Sequence, residues 1–407
     1  MASAATDPLL GLHPANREAI YTNLREQMPV YRSAVHAGWV LTRYSDVSTV
    51  LRHPDALALD AMPFLQSLSD RGGLRLSKLL AFVSSLSLLN RPPRHEAIRR
   101  MLAQALAGVR NFNLAASLEH RADEILSAGA RNGKIDLAAD YGRALALFVI
   151  GTFLGIAEED VCELGALGAD FMAIFERQLP SVSMLMKLND CAGALMTYFA
   201  DLIAAKRQNP ADDGISLIVR LSDEALACSD EELAGHCTFF FIAAEETTGA
   251  AITSAAHTLL QRPGLQGALR ADRSRIGDAA RELLRLASPV QYVARQLRSD
   301  IRIADQLIPA GDALILMLGS ANRDPAAFPD PDEPHLDRRG PDSLVFAAGP
   351  YRCVGAQLAT FEMEVAIRNL LAWPALRLSH QPPIWTDRMN IAPIRRLEAV
   401  FQPEGSS

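Results

Sequence analysis

The chain has 407 residues, 49% hydrophobic and 21% charged, with a formal net charge of −7. That composition is globular, the length allows a large core that still encloses a cavity, and the acidic balance argues against non-specific nucleic-acid binding. The opening MASAATDPLLGLHPANRE has neither a basic start nor an apolar run, so no signal peptide is expected, and no run reaches the roughly 20 apolar residues of a membrane span; the expectation is a cytoplasmic monomer without a membrane anchor.

Residues 38–54, GWVLTRYSDVSTVLRHP, alternate like a strand and then become a short helix ending at Pro54. Residues 61–89 mix apolar residues with Gly72, Gly73 and several serines and read as a long, partly irregular segment. From 94 to 288 apolar residues recur at spacings of three and four, the helical signature, punctuated by Pro180, Pro210 and Pro263. Within that body, residues 231–260 are too apolar to lie on a surface. After residue 290 come short strands, in VQYVARQL, DIRIAD and DALILML, with a turn at Pro309–Gly311. Residues 322–350 have no clear period, helix returns at 356–372, and the tail 389–401 reads as strand. No internal repeat is present, and a helical body with small sheets at its edges, near 38–54, 290–320 and 389–401, suits a single domain over 1–407.

Five scattered cysteines without a CxxC pair argue against a disulfide framework or a zinc site. Cys162, Cys191, Cys228 and Cys237 lie in helix-like apolar settings and are expected in the core. Cys353 differs. It sits in FAAGPYRCVGAQLA, after Gly349 and Pro350 and before Gly355, with Arg352 beside it and a helix just beyond. A helix N-terminus and a neighbouring cation both stabilise a thiolate, which is a strong metal ligand; a buried structural cysteine after a turn would look similar.

Three further stretches carry chemistry. FFFIAAEETTGAAI, residues 239–252, places Glu245, Glu246, Thr247 and Thr248 inside an apolar helix, where carboxylates are costly to bury. Thr247 can donate to the carbonyl of Ala243 one turn back, which bends a helix, and Glu246 can carry protons inward; a wet helix face is the alternative. In RELLRL, Glu282 and Arg285 are spaced to pair on one helix face, as solvated surface residues also often do. NRPPRHEAIRRML puts His95 and Arg99 one turn apart after a Pro-Pro entry, an arrangement suited to an anionic ligand or to a solvated face.

In order and separation these stretches resemble the cytochrome P-450 family over roughly residues 20–400. FAAGPYRCVG resembles its haem loop, AAEETT its distal-helix motif, ELLR its Glu-x-x-Arg pair, RPPRHEAIRR its propionate-binding segment, and IPAGDALILMLGSANRDPAAF the segment between the last two motifs. The resemblance implies a mainly α fold that grips one haem b (iron protoporphyrin IX) between a long distal helix and the cysteine loop. By the same resemblance Cys353 is the iron ligand, His95, Arg99, Arg295 and Tyr351 serve the propionates, and Phe346, Gly349 and Ala243 touch the haem. Glu246 and Thr247 match the acid–alcohol pair of proton delivery, and Glu282 with Arg285 a structural lock. The pocket would be lined from 61–89, 171–188, 289–293 and 389–394, with Phe64, Leu65, Leu86, Phe171, Met172, Phe175, Met184, Met186, Val290, Met389 and Ile391, some of which would equally serve as plain core.

Four positions depart from the family pattern. Ala347 and Ala244 stand where glycines are expected, Tyr351 where His or Arg is common, and the stretch 331–334 lacks an arginine that Arg338 would replace. The expected activity is that of a soluble bacterial-type monooxygenase of secondary metabolism. It inserts one atom of O2 into an apolar terpenoid, steroid-like or polyketide-like substrate. Electrons come from NAD(P)H through a separate reductase and an acidic ferredoxin docking near Arg99, Arg100 and Arg352. Two other readings are a peroxide-driven oxygenase, whose members usually lack the acid–alcohol pair, and a non-catalytic haem sensor or electron carrier.

Overall fold

The computed structural model describes residues 7–401 except 15, 34–35, 87–91, 109–113, 170, 172–180, 227 and 392–393. Its axis is the helix Asp230–Leu260, the central helix. Ser229 caps it by accepting from the Glu232 backbone N–H at 3.1 Å while Glu232 accepts from the Ser229 N–H at 3.0 Å. Asp230, Glu231 and Glu232 in the first turn complement the positive end of the helix dipole. Such a long apolar helix is stable only when wrapped. It packs against the π-helical turn Leu137–Arg143 and the helices Ala144–Leu154, Val182–Gln208, Ile276–Ala287 and Ala356–Leu371. One close crossing uses two glycines, since a Cβ on Gly142 would strike Thr253 Oγ1 and lie 2.7 Å from the Gly249 carbonyl.

The largest sheet has strand order Val30–Ser33, Gly38–Leu41, Ala313–Leu316, Val293–Leu297, Ala56–Ala58. Arg295 lies on an inner strand, opposite Leu314 on one side and Ala58 on the other. A three-stranded sheet joins Lys134–Asp136, Glu398–Phe401 and Leu376–Leu378, and two small ribbons complete the strands.

Two expectations need correction. Of residues 61–89 the described part, 61–86, is largely regular, with helices at Met62–Gly72 and Ser77–Ser85. Pro63 suits the first turn and Gly73, at φ +64°, closes the helix, so the glycines mark a boundary. Cys162 is exposed on its helix, although Cys191, Cys228 and Cys237 are buried. One helical stretch among the described residues, Leu137–Leu154, is long and apolar enough by length and composition to cross a membrane. Two-thirds of it is buried against neighbouring helices, as expected of a core segment.

Candidate active site

The cysteine loop is built to hold one thiol in place. Gly349 is at φ +69°, and a Cβ there would strike the Leu51 carbonyl, so the loop passes backbone-to-backbone over the helix Tyr44–Arg52. Ala347 also sits in the left-handed region, at φ +55°, where glycine is at ease and alanine is strained. The Cys353 N–H donates to the Phe346 carbonyl at 2.8 Å, and Gly355 begins the helix Ala356–Leu371. Cys353 is exposed to a cavity of about 820 Å³ that it lines with Arg99, Leu106, Val354, Leu358 and Phe361. Surrounding protein pushes its thiol up; the Gly355 N–H, Arg99 and Arg352 act in the opposite direction.

Beside the loop lie Arg99, Arg295 and His95, and no carboxylate among the described residues pairs with any of them. His95 is 1% exposed, and neither ring nitrogen has a hydrogen-bond partner. Burial, then Arg99 and Arg295, push its pKa down to about 4. Arg295, 4% exposed, donates from Nη1 to the Ala294 carbonyl at 2.8 Å, but its Nε is unpartnered; burial pulls its pKa down to about 10. The Tyr351 ring touches both, its centroid 4.4 Å from that of His95 and 5.0 Å from Arg295 Cζ. Arg99 donates to the Arg352 carbonyl, which joins the helix Arg94–Gly108 to the cysteine loop. Buried cations and unmet donors are expensive. A ligand with carboxylates at its edge and a metal ion at its centre would satisfy both the cluster and the thiol, so these residues fit a haem.

On the central helix Thr247 Oγ1 donates to the Ala243 carbonyl at 2.7 Å, the back-bond expected from the sequence. Ala243, Ala244 and Thr247 are only half-buried, in a helix whose middle is otherwise mostly buried. The two adjacent carboxylates do not share a wet face. Glu245 is buried and pairs with Arg143 at 2.6 Å, while Glu246 pairs with Arg388. Burial raises the Glu245 pKa, and Arg143 and Arg388 only partly offset it. The sequence reading missed both arginines. They lie 102 and 142 residues from their partners, and no local pattern announces such pairs.

Glu282 and Arg285 form a buried two-pronged pair at 2.9 and 2.8 Å. Arg338 adds a bond from Nε to Glu282 at 2.8 Å and donates to the carbonyls of Pro329, Asp330 and Glu333; it completes the network as expected. Burial opposes ionisation of Glu282, but the bonds from Arg285 and Arg338 prevail and lower its pKa.

The expected pocket lining divides. Leu65, Leu86, Phe171 and Ile391 are buried, and Phe171 packs edge-on against Phe82 with centroids 5.2 Å apart. Met184, Met186, Val290 and Met389 are half-buried, Val290 and Ile391 being joined by a β-bridge. Phe64 is 41% exposed on its helix. Met172 and Phe175 lie outside the described residues.

A profile of the family described as Cytochrome P450 matches residues 171–386. The Vitamin D(3) 25-hydroxylase of Pseudonocardia autotrophica is 31% identical over 364 residues, covering 88% of this chain and 85% of that one. The Biotin biosynthesis cytochrome P450 of Bacillus subtilis is 29% identical over 367 residues, covering 89% and 91%. Among solved structures, P450BioI in complex with an acyl carrier protein ligated to hexadec-9Z-enoic acid superposes with a TM-score of 0.87 at 28% identity, covering 95% of this chain and 99% of that one. Profile match, relatives and fold agree: the chain belongs to the cytochrome P450 family and is a haem-binding monooxygenase.

Proposed function

We propose that Cys353 ligates the iron of a haem b, that His95, Arg295, Arg99 and Tyr351 hold its propionates, and that Glu246 and Thr247 carry the protons that oxygen activation consumes. The observation that supports this most directly is the Arg295 guanidinium and the unbonded, buried His95 ring, both packed on Tyr351, two residues from the cysteine that lines the cavity. Bound haem supplies the oxygen-activating chemistry, and a thiolate ligand favours O–O cleavage. The chain's own part is to place the thiol, neutralise the carboxylates and meter protons. Thr247 has a hydroxyl able to receive a proton on one side and donate on the other. Glu246 is the adjacent acid.

The substrate is an apolar organic molecule of terpenoid, steroid-like or polyketide-like kind. Met184, Met186 and Met389 would give the pocket an adaptable lining. The names and titles of the relatives mention vitamin D(3) and hexadec-9Z-enoic acid. Electrons come from NAD(P)H through a separate reductase and an acidic ferredoxin, which docks where Arg352 and Arg100 are exposed. The deciding experiment is the reduced, carbon monoxide-bound spectrum of the haem-loaded protein. A far-red-shifted Soret band that Cys353→Ser abolishes is expected. If Cys353→Ala kept it while loss of another cysteine removed it, the ligand assignment would be wrong.

A further inference from the structure

Three separate parts of the fold meet at the Arg388 guanidinium. Nη1 pairs with Glu246 Oε1 on the central helix. Nη2 donates at 3.0 Å to the carbonyl of Ala169, the residue that ends the helix Glu158–Gly168. Arg388 itself belongs to the loop that carries Met389 and Ile391. Both side chains of the ion pair are largely shielded, at 23% and 12% exposure, so the contact is screened less than a surface pair would be. The neighbouring carboxylate, Glu245, feels the Arg388 charge but makes its ion pair with Arg143.

Thr247, meanwhile, donates to its own helix at Ala243. In this arrangement each of the two residues read as proton carriers is engaged elsewhere: the alcohol with the helix backbone, the acid with Arg388. A carboxylate held by a guanidinium must give up that contact before it can turn and pass a proton on.

We propose that Arg388 is a positioning residue for Glu246, a latch that holds the acid away from Thr247 until the loop carrying Met389, or the end of the helix Glu158–Gly168, shifts around a substrate. The latch rests on the reading of Glu246 as a proton carrier. It makes the acid's availability depend on the walls of the pocket. With the latch closed, proton delivery through Glu246 waits for substrate.

The test uses the haem-loaded protein with NADPH and a surrogate ferredoxin and reductase, without substrate. Arg388→Met should raise substrate-free NADPH oxidation at least threefold and reduce its solvent deuterium isotope effect, and Arg388→Lys should restore both most of the way. Glu246→Gln should enlarge the isotope effect, and the double variant should match Glu246→Gln alone, because a latch with nothing to hold has no effect. Hydrogen exchange gives a second readout. Amides of 384–391 and 165–169 should exchange faster in both single variants, since either one opens the latch. Should Arg388→Met oxidise NADPH like the parent, or its effect add to that of Glu246→Gln, the latch is refuted while proton delivery by Glu246 stands. Faster exchange in Arg388→Met alone would also refute it, by reducing Arg388 to a packing residue. An unchanged isotope effect in Glu246→Gln would remove the acid from proton delivery and the latch with it.

Discussion

The Arg295 guanidinium lies over the ring of Tyr351, with Cζ 5.0 Å from its centroid, and His95 packs on the same ring. Tyr351 therefore serves by its ring at least as much as by its hydroxyl. A ring under a guanidinium contributes roughly 0.5–2 kcal/mol, and a neutral hydrogen bond about 1 kcal/mol. Tyr351→Phe keeps the platform and should loosen haem by no more than about 1 kcal/mol. Tyr351→Ala should loosen it further, and Arg295→Ala most of all, because a buried carboxylate would lose a charged partner. Haem transfer to apomyoglobin ranks the three. Release from Tyr351→Phe as fast as from Arg295→Ala would make the hydroxyl a principal anchor.

Thr247→Ala should still bind haem and substrate but divert NAD(P)H to peroxide. Each kcal/mol lost in steering protons changes the partition about fivefold. The back-bond to Ala243 is worth little to the fold, so the variant should melt close to the parent. The ratio of product formed to cofactor used is the measurement, and unchanged coupling would exclude Thr247 from the mechanism.

Ala347 occupies a left-handed position at φ +55°, at a cost of roughly 1–2 kcal/mol for a residue with a Cβ. Glycine relieves that strain but adds freedom to the unfolded chain, about 0.4–1 kcal/mol in the other direction. Ala347→Gly should therefore be neutral or stabilising by up to about 1.6 kcal/mol. Gly349→Ala should be strongly destabilising, because its Cβ would meet the backbone of Leu51 and Arg52. Thermal unfolding of the haem-loaded protein checks the pair, and a clear loss of stability in Ala347→Gly would contradict the strain argument.

The Glu282 network predicts unequal damage. Arg285 bonds both oxygens of Glu282 and the carbonyls of Asn322, Pro331 and Glu333. Arg285→Ala would break the two-pronged buried pair, leaving Glu282 only Arg338 and the His335 N–H, and should cost about 3–5 kcal/mol, enough to prevent recovery of loaded protein. Arg338→Ala leaves Glu282 its main partner and should yield folded protein with a lower melting temperature. Equal recovery of the two variants would show that the network has no hierarchy.

His95 and, on the central helix, His236 both have pKa values pushed down from the ordinary 6.5 to about 4, chiefly by burial. The unfolded chain therefore takes up these protons first as pH falls. Stability from the two neutral rings is fully present above about pH 6.5 and is lost as pH drops toward 4. Denaturant unfolding of haem-free protein at pH 7.5, 6 and 5 should show a decline that a His95→Gln, His236→Gln double variant lacks. Haem should lessen the His95 share, since carboxylates beside the ring favour its charged form. Parallel pH dependence in parent and double variant would dismiss both histidines.

Local pattern was enough to reveal the central helix, the cysteine loop, the Glu282–Arg285 pair and the Thr247 back-bond. Each depends on residues close together in the chain: an apolar run, a Gly-Pro turn before a helix, a spacing of three and a spacing of four. The helical body and the strands after residue 290 follow for the same reason. Tertiary structure decided what joins distant residues. The glycines of 61–89 read as irregularity because the packing that makes helices of that segment comes from elsewhere in the chain. Cys162 looks like a core residue until its helix is seen to turn it outward. Glu245 and Glu246 are chemically identical neighbours, and sequence alone cannot assign one to Arg143 and the other to Arg388. The helix rotates successive residues by about 100° and so presents the two carboxylates to different walls of the fold.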